Sequence, residues 1–473
     1  MYHIVDQINS HIFRGYDLRG LIDQDLNADV YYTLGRAYGT FLAKRRINES
    51  AVGYDNRHHA EEYTQAFIAG LNDSGINTIN IGLSMSQIVY YSSYEFKTKG
   101  GAMITASHNA KEYNGLKLSV GYSDTMVTEE IKELQKIAAA KKFAEGKGSN
   151  RKEDIVPAYT KSLLKLFSLK KKWKIIVDGC NGAGGAFYPE IFKQAGCEVV
   201  AKNCELDSDF PLGHPDPTEV KVLERLAESV KKNQADLGFA FDADGDRMSV
   251  VDENGQILWM DTIVSIFAKD VLETQPGSKI IFNTLCSRQV KETIETAGGK
   301  PIMWLTGHSF IKAKVKEERS PFGGELSGHI FFMDNFYGHD DAANACLRLL
   351  TYLERHDQML SQAVAQLSQY VSSPEIKLGL PDDIKFQLID DKITADFKKH
   401  WPEADYCQID GVRMDLSDQM ATIRASQNGP YVTVKFEAKT QEKYDQLKNK
   451  LRDILKQYPE VNWQEGSNTH ALD

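Results

Sequence analysis

The sequence contains no run of about eighteen apolar residues, so a membrane span is not expected. It has no C-x-x-C pair either. Its six cysteines (Cys180, Cys197, Cys204, Cys286, Cys346, Cys407) are scattered, which argues against a disulfide framework or a structural zinc site and fits a reducing compartment. The amino terminus, MYHIVDQINSHIFRGYD, lacks a basic stretch followed by an apolar one, so no secretory signal is read and a cytoplasmic location is expected. Excess positive charge is missing too. A formal net charge of −10 disfavours a general nucleic-acid binder. An anionic ligand would have to find its cations locally.

What remains is an ordinary globular composition, 42% hydrophobic and 26% charged, over 473 residues. That is too long for one core, and three or four domains are expected. No internal repeat is convincing, but three units share a strand–helix rhythm that implies parallel βαβ crossovers. In the first, ADVYYTLGRAYGTFLAK and AEEYTQAFIAGLNDSG read as helices and AVGYD, INTINIG and GGAMITA as strands. Residues 139–153, small, basic and Gly-containing, read as a linker. A second unit starts near 155 with IVPAYTKSLLKLF, then KIIVDGCNGAGG, and runs to LGFAFDADGDRMSVV. A third begins near ILWMDTIVSIFAKDVL and contains KIIFN, PIMWL and FGGELSGH. A fourth, from about 370, carries alternating strands (IDGVRMDL, MATIRAS, YVTVKFEA) and one closing helix, an α+β pattern. Ser372, Ser373 and Pro374 read as its hinge, and QEGSNTHALD as a frayed tail. The expected divisions are 1–154, 155–256, 257–369 and 370–473.

Each unit delivers one polar loop. TASHNAKEYNGLK places Thr105, Ser107, His108 and Asn109 straight after a buried strand, with Lys117 following. In open α/β sheets that edge is where ligands bind, although an isolated Ser there is commonly a helix cap. FAFDADGDR sets Asp242, Asp244 and Asp246 at alternate positions of a tight loop. Such carboxylates repel unless a cation sits among them, and a hard divalent ion with oxygen ligands is the natural partner. Arg247 instead of Gly at the sixth position, and flanking strands, argue against an EF-hand; Arg247 adds a planar phosphate donor. A solvated acidic turn is the bland alternative. GGELSGH aligns Glu325, Ser327 and His329, suited to sugar hydroxyls and acid/base work. TGHSFIK adds His308 and Lys312. RASQNGP joins Arg424, Ser426, Gln427 and Asn428 into a candidate phosphate cradle, and FRGYDLRG offers Arg14, Tyr16 and Arg19. Nucleophile, divalent ion, substrate positioning and positive charge together are the set that phosphoryl transfer requires.

With these landmarks in this order, the chain resembles the α-D-phosphohexomutase superfamily over essentially its whole length, in particular its bacterial phosphomannomutase/phosphoglucomutase branch. The resemblance implies a heart-shaped, four-domain protein: three α/β domains with mixed sheets and a C-terminal α+β domain around one cleft. It implies a phosphorylated Ser107, and one Mg²⁺ held by Asp242, Asp244, Asp246 and a phosphoserine oxygen. Arg19, His108, Lys117, Arg247, His308 and His329 would line the transfer site. Tyr16, Glu325 and Ser327 would contact the sugar, and Arg424, Ser426, Gln427 and Asn428 the phosphate that is not reacting. Phosphosugars are the expected substrates, with glucose 1,6-bisphosphate or a related bisphosphate as activator, and the chain acts as a monomer or weak dimer without nucleic acid or membrane. Phosphoglucosamine mutase is the nearest alternative, disfavoured by Leu326 where that group usually has Gln; a Mg²⁺-dependent sugar phosphatase is a more distant one. Three departures from the family stand out: Ala110 in place of Pro, which should loosen the serine loop; Gln427-Asn428 in the phosphate loop; and Leu285 where some relatives carry a ligand-facing lysine.

Overall fold

A buried strand must have both backbone edges paired, and the first sheet meets this with six strands. They lie in the spatial order Leu18–Leu21, Tyr113–Val120, Gly100–Ile104, Glu49–Tyr54, Asn77–Leu83 and Asn150–Lys152. The structure, a computed structural model, describes residues 1–473. Glu49–Tyr54 runs parallel to both of its neighbours, whereas Tyr113–Val120 is antiparallel to both of its own, so the sheet is mixed. Gly100–Ile104 is therefore central, and the loop that carries Ser107 leaves its carboxyl end. The helices Ala28–Lys44 and Ala60–Asp73, legible from their spacing, cross at two glycines. A Cβ on Gly70 would stand 2.2 Å from the Tyr32 carbonyl oxygen, and one on Gly35 would stand 2.3 Å from that of Phe67. No side chain fits between these backbones.

Two readings of this first unit are corrected. Residues 139–153 are more than a linker: helix Thr128–Ala140 covers their start, and Asn150–Lys152 pairs in parallel with Thr78–Asn80 as an exposed, basic edge strand. Charge on an edge strand discourages further pairing, which is why it reads as a loop. The helix Ser86–Glu95 escaped notice altogether. Residues 86–93 are all buried, so it has no apolar stripe to reveal it.

The second sheet holds Ile257–Leu258, Met248–Asp252, Leu237–Phe241, Lys174–Asp178 and Glu198–Lys202, in that order. Leu237–Phe241 and Met248–Asp252 form an antiparallel hairpin whose connection is the acidic loop. Ile257 and Leu258, assigned by sequence to the third unit, complete this second sheet instead. The third sheet (Lys300–Trp304, Lys279–Asn283, Phe322–Gly324, Ile330–Phe332) ends in an antiparallel hairpin joined by residues 325–329. One hydrophobic cluster of 53 residues runs through the second and third units and reaches Ile79 and Met85 of the first.

The fourth unit has its own cluster of 22 residues beneath an antiparallel sheet in the order Asp405–Cys407, Val412–Asp415, Gln419–Ala425, Tyr431–Ala438, Ile376–Gly379 and Asn462–Ser467. The supposed tail is thus a strand: residues 462, 466 and 467 pair with Lys377–Gly379, and Leu472 is fully buried. Polar residues hid it. The supposed hinge is also structured. Val371–Ser372 pairs with Glu437 and Ala438, and the Phe436 amide donates to Ser373 Oγ at 3.1 Å. All six cysteines are free, and no helix is long and apolar enough to cross a membrane.

If the C-terminal segment is part of the fourth core, Leu472→Ala should cost about 2–4 kcal/mol, the range for a buried Leu truncation. Urea unfolding followed by tryptophan fluorescence measures it; an unchanged midpoint would show that the segment is ornamental.

Candidate active site

Thr105 and Ser107 are shaped by the end of the strand. Thr105 Oγ1 accepts the Ser107 amide at 2.7 Å and donates to Asp55 Oδ2 at 2.6 Å. This turn holds Ser107 at φ +50°, in the left-handed region, where an L-residue is strained by roughly 1–2 kcal/mol. No helix follows, so the capping reading falls. The Ser107 hydroxyl instead donates to Asp242 Oδ2 at 2.8 Å, across the junction of the first two units, with His108 Nδ1 at 3.4 Å. The Ala110 carbonyl accepts the Tyr113 amide at 3.1 Å.

Asp242, Asp244 and Asp246 follow the strand Leu237–Phe241 and are all fully buried, with carboxylate oxygens within 4.8 Å of one another. The solvated-turn reading fails on that burial. Lys117 enters from the first sheet and sets Nζ 2.6 Å from Asp244 Oδ2 and 2.5 Å from Asp246 Oδ2. Burial, reinforced by Asp244, pushes Asp242 and Asp246 up to about 7. Asp244 goes the other way: burial alone would raise it, but Lys117 outweighs that and holds it far below the carboxylate range. Asp244 Oδ1 and Asp246 Oδ1 are buried without a hydrogen-bond partner. Orphaned carboxylate oxygens beside a serine hydroxyl form an all-oxygen donor set that fits a hard divalent cation. Arg247 donates from Nε to Asp242 Oδ2 at 2.9 Å, while its Nη2 is buried and unpartnered. That nitrogen is a donor free to meet an anion.

The other units complete the walls. Glu325 accepts the Gly307 amide on Oε1 at 2.8 Å, leaving Oε2 buried and unpartnered, and burial pushes its carboxyl up to about 7. His329 stacks on His308 with ring centroids 5.1 Å apart. Both face Asp340, whose carboxylate lies 3.0 Å from His329 Nδ1, 3.7 Å from His308 Nδ1 and 2.9 Å from Lys312 Nζ. Burial drives the pKa of His308, and likewise that of His108, well below the usual imidazole value, so both are neutral at pH 7. From the fourth unit, Arg424 is aimed by Asp410 (Nε to Oδ2, 2.7 Å), and Asn428 donates to the Tyr16 hydroxyl at 2.6 Å.

One cleft is lined by Ser107, His108, Lys117, Tyr16 and Arg19 of the first unit, by Arg247, by His308, Glu325, Ser327 and His329, and by Arg424, Ser426, Gln427 and Asn428; of the other residues the sequence offered, Arg14, Thr105, Asn109 and Lys312 stay outside its lining. The three aspartates lie behind its lining, joined to it by the Ser107–Asp242 hydrogen bond and by Lys117 and Arg247. Sequence reading missed Lys377, Asp216 and Asp340. Lys377 lines the cleft and lies 3.5 Å from Asp216 Oδ2; Asp216 also faces Arg247 Nη1 at 3.3 Å. Burial alone would raise the Asp216 carboxyl, but Arg247 and Lys377 hold it well below its ordinary range. Lys377 is one residue in an alternating strand, so nothing local marks it; the polar runs HPDP and GHDD could have marked the two aspartates. Leu285 is buried in the core and does not face the ligand space. Lys377 supplies a cation in the cleft. If the trio holds a divalent ion, Asp244→Asn should weaken Mg²⁺ binding by roughly tenfold or more, since even outer-shell changes cost that much. Calorimetric titration reads this directly, and an unchanged affinity would place the ion elsewhere.

Comparison with known proteins points the same way. Residues 10–145, 157–255 and 259–370 match the models for alpha/beta/alpha domains I, II and III of phosphoglucomutase/phosphomannomutase. A phosphomannomutase/phosphoglucomutase of Pseudomonas aeruginosa is 37% identical over 445 residues, covering 94% of this chain and 95% of that protein. A phosphoglucomutase of Neisseria gonorrhoeae is 36% identical, covering 96% and 99%. A crystal structure of a phosphoglucomutase/phosphomannomutase family protein from Burkholderia thailandensis superimposes with a TM-score of 0.87 at 32% identity, over 96% of this chain and 99% of that one. The chain belongs to the phosphoglucomutase/phosphomannomutase family of the α-D-phosphohexomutase superfamily, isomerases that act on hexose phosphates.

Proposed function

We propose that the enzyme moves a phosphoryl group between O1 and O6 of glucose or mannose with Ser107 as carrier. One observation carries this reading. The Ser107 hydroxyl, 2.8 Å from Asp242, shares a single cleft with a second anion cradle made by Arg424, Ser426 and Asn428. A hexose phosphate seated in that cradle turns its free hydroxyl toward Ser107. A hydrolase has no use for a second cradle, and here the fourth unit also closes over the cleft through Asn428–Tyr16 and an Arg14–Asp382 ion pair at 2.7 Å. That closure limits access of water to the phosphoserine.

In the forward half-reaction the sugar hydroxyl oxygen bonds to phosphorus as the phosphorus–Ser107 Oγ bond breaks, and the hydroxyl proton passes to His329, which Asp340 orients. The resulting 1,6-bisphosphate turns end for end, so that its other phosphate enters the cradle. Ser107 Oγ then takes back the second phosphoryl group, and the proton returns to the departing sugar oxygen. Mg²⁺ on Asp242, Asp244, Asp246 and the Ser107 oxygen would supply fixed positive charge beside the transferring group. Arg247 Nη2 adds a donor for the phosphoryl oxygens, and Glu325 Oε2 accepts from sugar hydroxyls. Glucose 1,6-bisphosphate, or a close relative, would charge an unphosphorylated Ser107. Leu326, buried and outside the cleft lining, gives no support to a glucosamine preference. One chain supplies every group, which suits a monomer or weak dimer working in the cytoplasm.

Ser107→Ala should fold normally and lose nearly all turnover, because neither half-reaction exists without the hydroxyl. A coupled assay on purified, mass-verified protein decides it; normal turnover would sink the scheme. The cleft should also accept both epimers at C2, since the family resemblance implies that Glu325 and Ser327 contact O3 and O4, hydroxyls that glucose and mannose share. Catalytic efficiencies for the two 1-phosphates should agree within roughly a hundredfold, well short of the 10⁴–10⁵ that a dedicated hydrogen bond provides. A preference of several thousandfold would reveal a residue that reads C2.

A further inference from the structure

Arg57 never touches the cleft, yet its guanidinium is spent almost wholly on the loop that presents Ser107. Nη2 donates to the carbonyls of Ser107 at 2.5 Å and Asn109 at 2.6 Å; Nη1 donates to those of Ala110 at 2.8 Å and Tyr113 at 3.2 Å. The side chain is sealed from solvent. Its Nε faces Asp55 Oδ2 at 3.3 Å, and Phe210 of the second unit covers the guanidinium at 5.1 Å from the ring centroid. Asp55 is the same carboxylate that anchors Thr105, whose hydroxyl accepts the Ser107 amide. Ser107 is therefore gripped on both sides of its strained backbone, its N–H through Thr105 and its carbonyl by Arg57. A left-handed non-glycine residue persists only where its surroundings over-determine it.

We infer that Arg57 is a positioning residue for phosphoryl transfer: by binding four loop carbonyls it holds Ser107 in the left-handed conformation that aims Oγ at Asp242. This rests on Ser107 as the phosphoryl carrier. A planar, five-donor fork can satisfy four carbonyls at once; a lysine, with three donors on a point charge, cannot. The loss should appear at the reacting oxygen and spare the distal phosphate cradle, which lies on another domain.

Arg57→Lys should lower kcat roughly a hundredfold, the scale of a misplacement of about 1 Å, while KM for glucose 1-phosphate stays within about threefold, as expected when an interaction specific to the transition state is lost. In Arg57→Ala, millimolar free guanidinium should restore part of kcat, a rescue that general destabilisation would not show. Asp55→Asn is the companion should either Arg57 variant fail to fold. It preserves volume, but all of Asp55's neighbours are donors, so the new amide must lose at least one of them; kcat should fall with KM spared. A normal kcat in folded Arg57→Lys or Asp55→Asn, or a raised KM at normal kcat, would overturn the inference. Ser107→Ala run alongside separates the two ideas. Turnover by that variant defeats the carrier itself, whereas an inactive Ser107→Ala beside a fully active Arg57→Lys defeats the clamp alone.

Discussion

Three carboxylates cannot be sealed from water side by side unless positive charge is sealed in with them. Asp242, Asp244 and Asp246 impose that condition, and the arrangement of the domains answers it. Lys117 reaches in from the first sheet, and Arg247 stands on the loop itself. His329 of the third unit approaches Asp246 to 3.8 Å, and Lys377 of the fourth reaches the same network through Asp216. Removing one partner from a buried pair typically costs 3–5 kcal/mol, whereas the intact pair adds little net stability. The network brings loops of all four units to one place.

Local charge also reconciles an acidic protein with anionic substrates. The chain carries −10 overall, yet Arg19, Lys117, Arg247, Lys377 and Arg424 converge on a single cleft. Several of them are already matched to acids behind the wall: Arg19 to Asp17, Arg424 to Asp410, Lys377 to Asp216. These acids aim the cations and leave donors such as Arg247 Nη2 toward the cleft. A phosphate arriving there meets preorganised donors.

The active site was more legible in the sequence than the fold around it. Loops such as DADGDR and GELSGH concentrate chemistry in a few consecutive residues, and short polar motifs at strand ends survive without knowledge of packing. Helices whose apolar residues recur at helical spacing, such as Ala28–Lys44 with Tyr31, Leu34, Tyr38 and Phe41, were equally plain. What escaped lacked a local signal. Ser86–Glu95 is buried on every side and shows no stripe; Asn150–Lys152 and Asn462–Ser467 are edge strands whose polar residues resemble loops. Lys377, Asp216, Asp340 and Arg57 act through partners distant in sequence, and a single chain of letters does not record who those partners are.

The partition of the hydrophobic interior has a consequence for how the molecule comes apart. The second and third units share one continuous cluster, while the fourth keeps its own. The first unit's main cluster, of 28 residues, is separate too. Heat or denaturant therefore acts on several cooperative blocks instead of one, and a single free energy of unfolding does not describe the chain. The acidic loop and the hairpin that carries Glu325 and His329 both sit on the shared block. The loop that carries Arg424, Ser426, Gln427 and Asn428 sits on a block with its own interior, tied to the third unit by polar bonds such as Arg413 Nη1 to the Thr284 carbonyl at 2.7 Å.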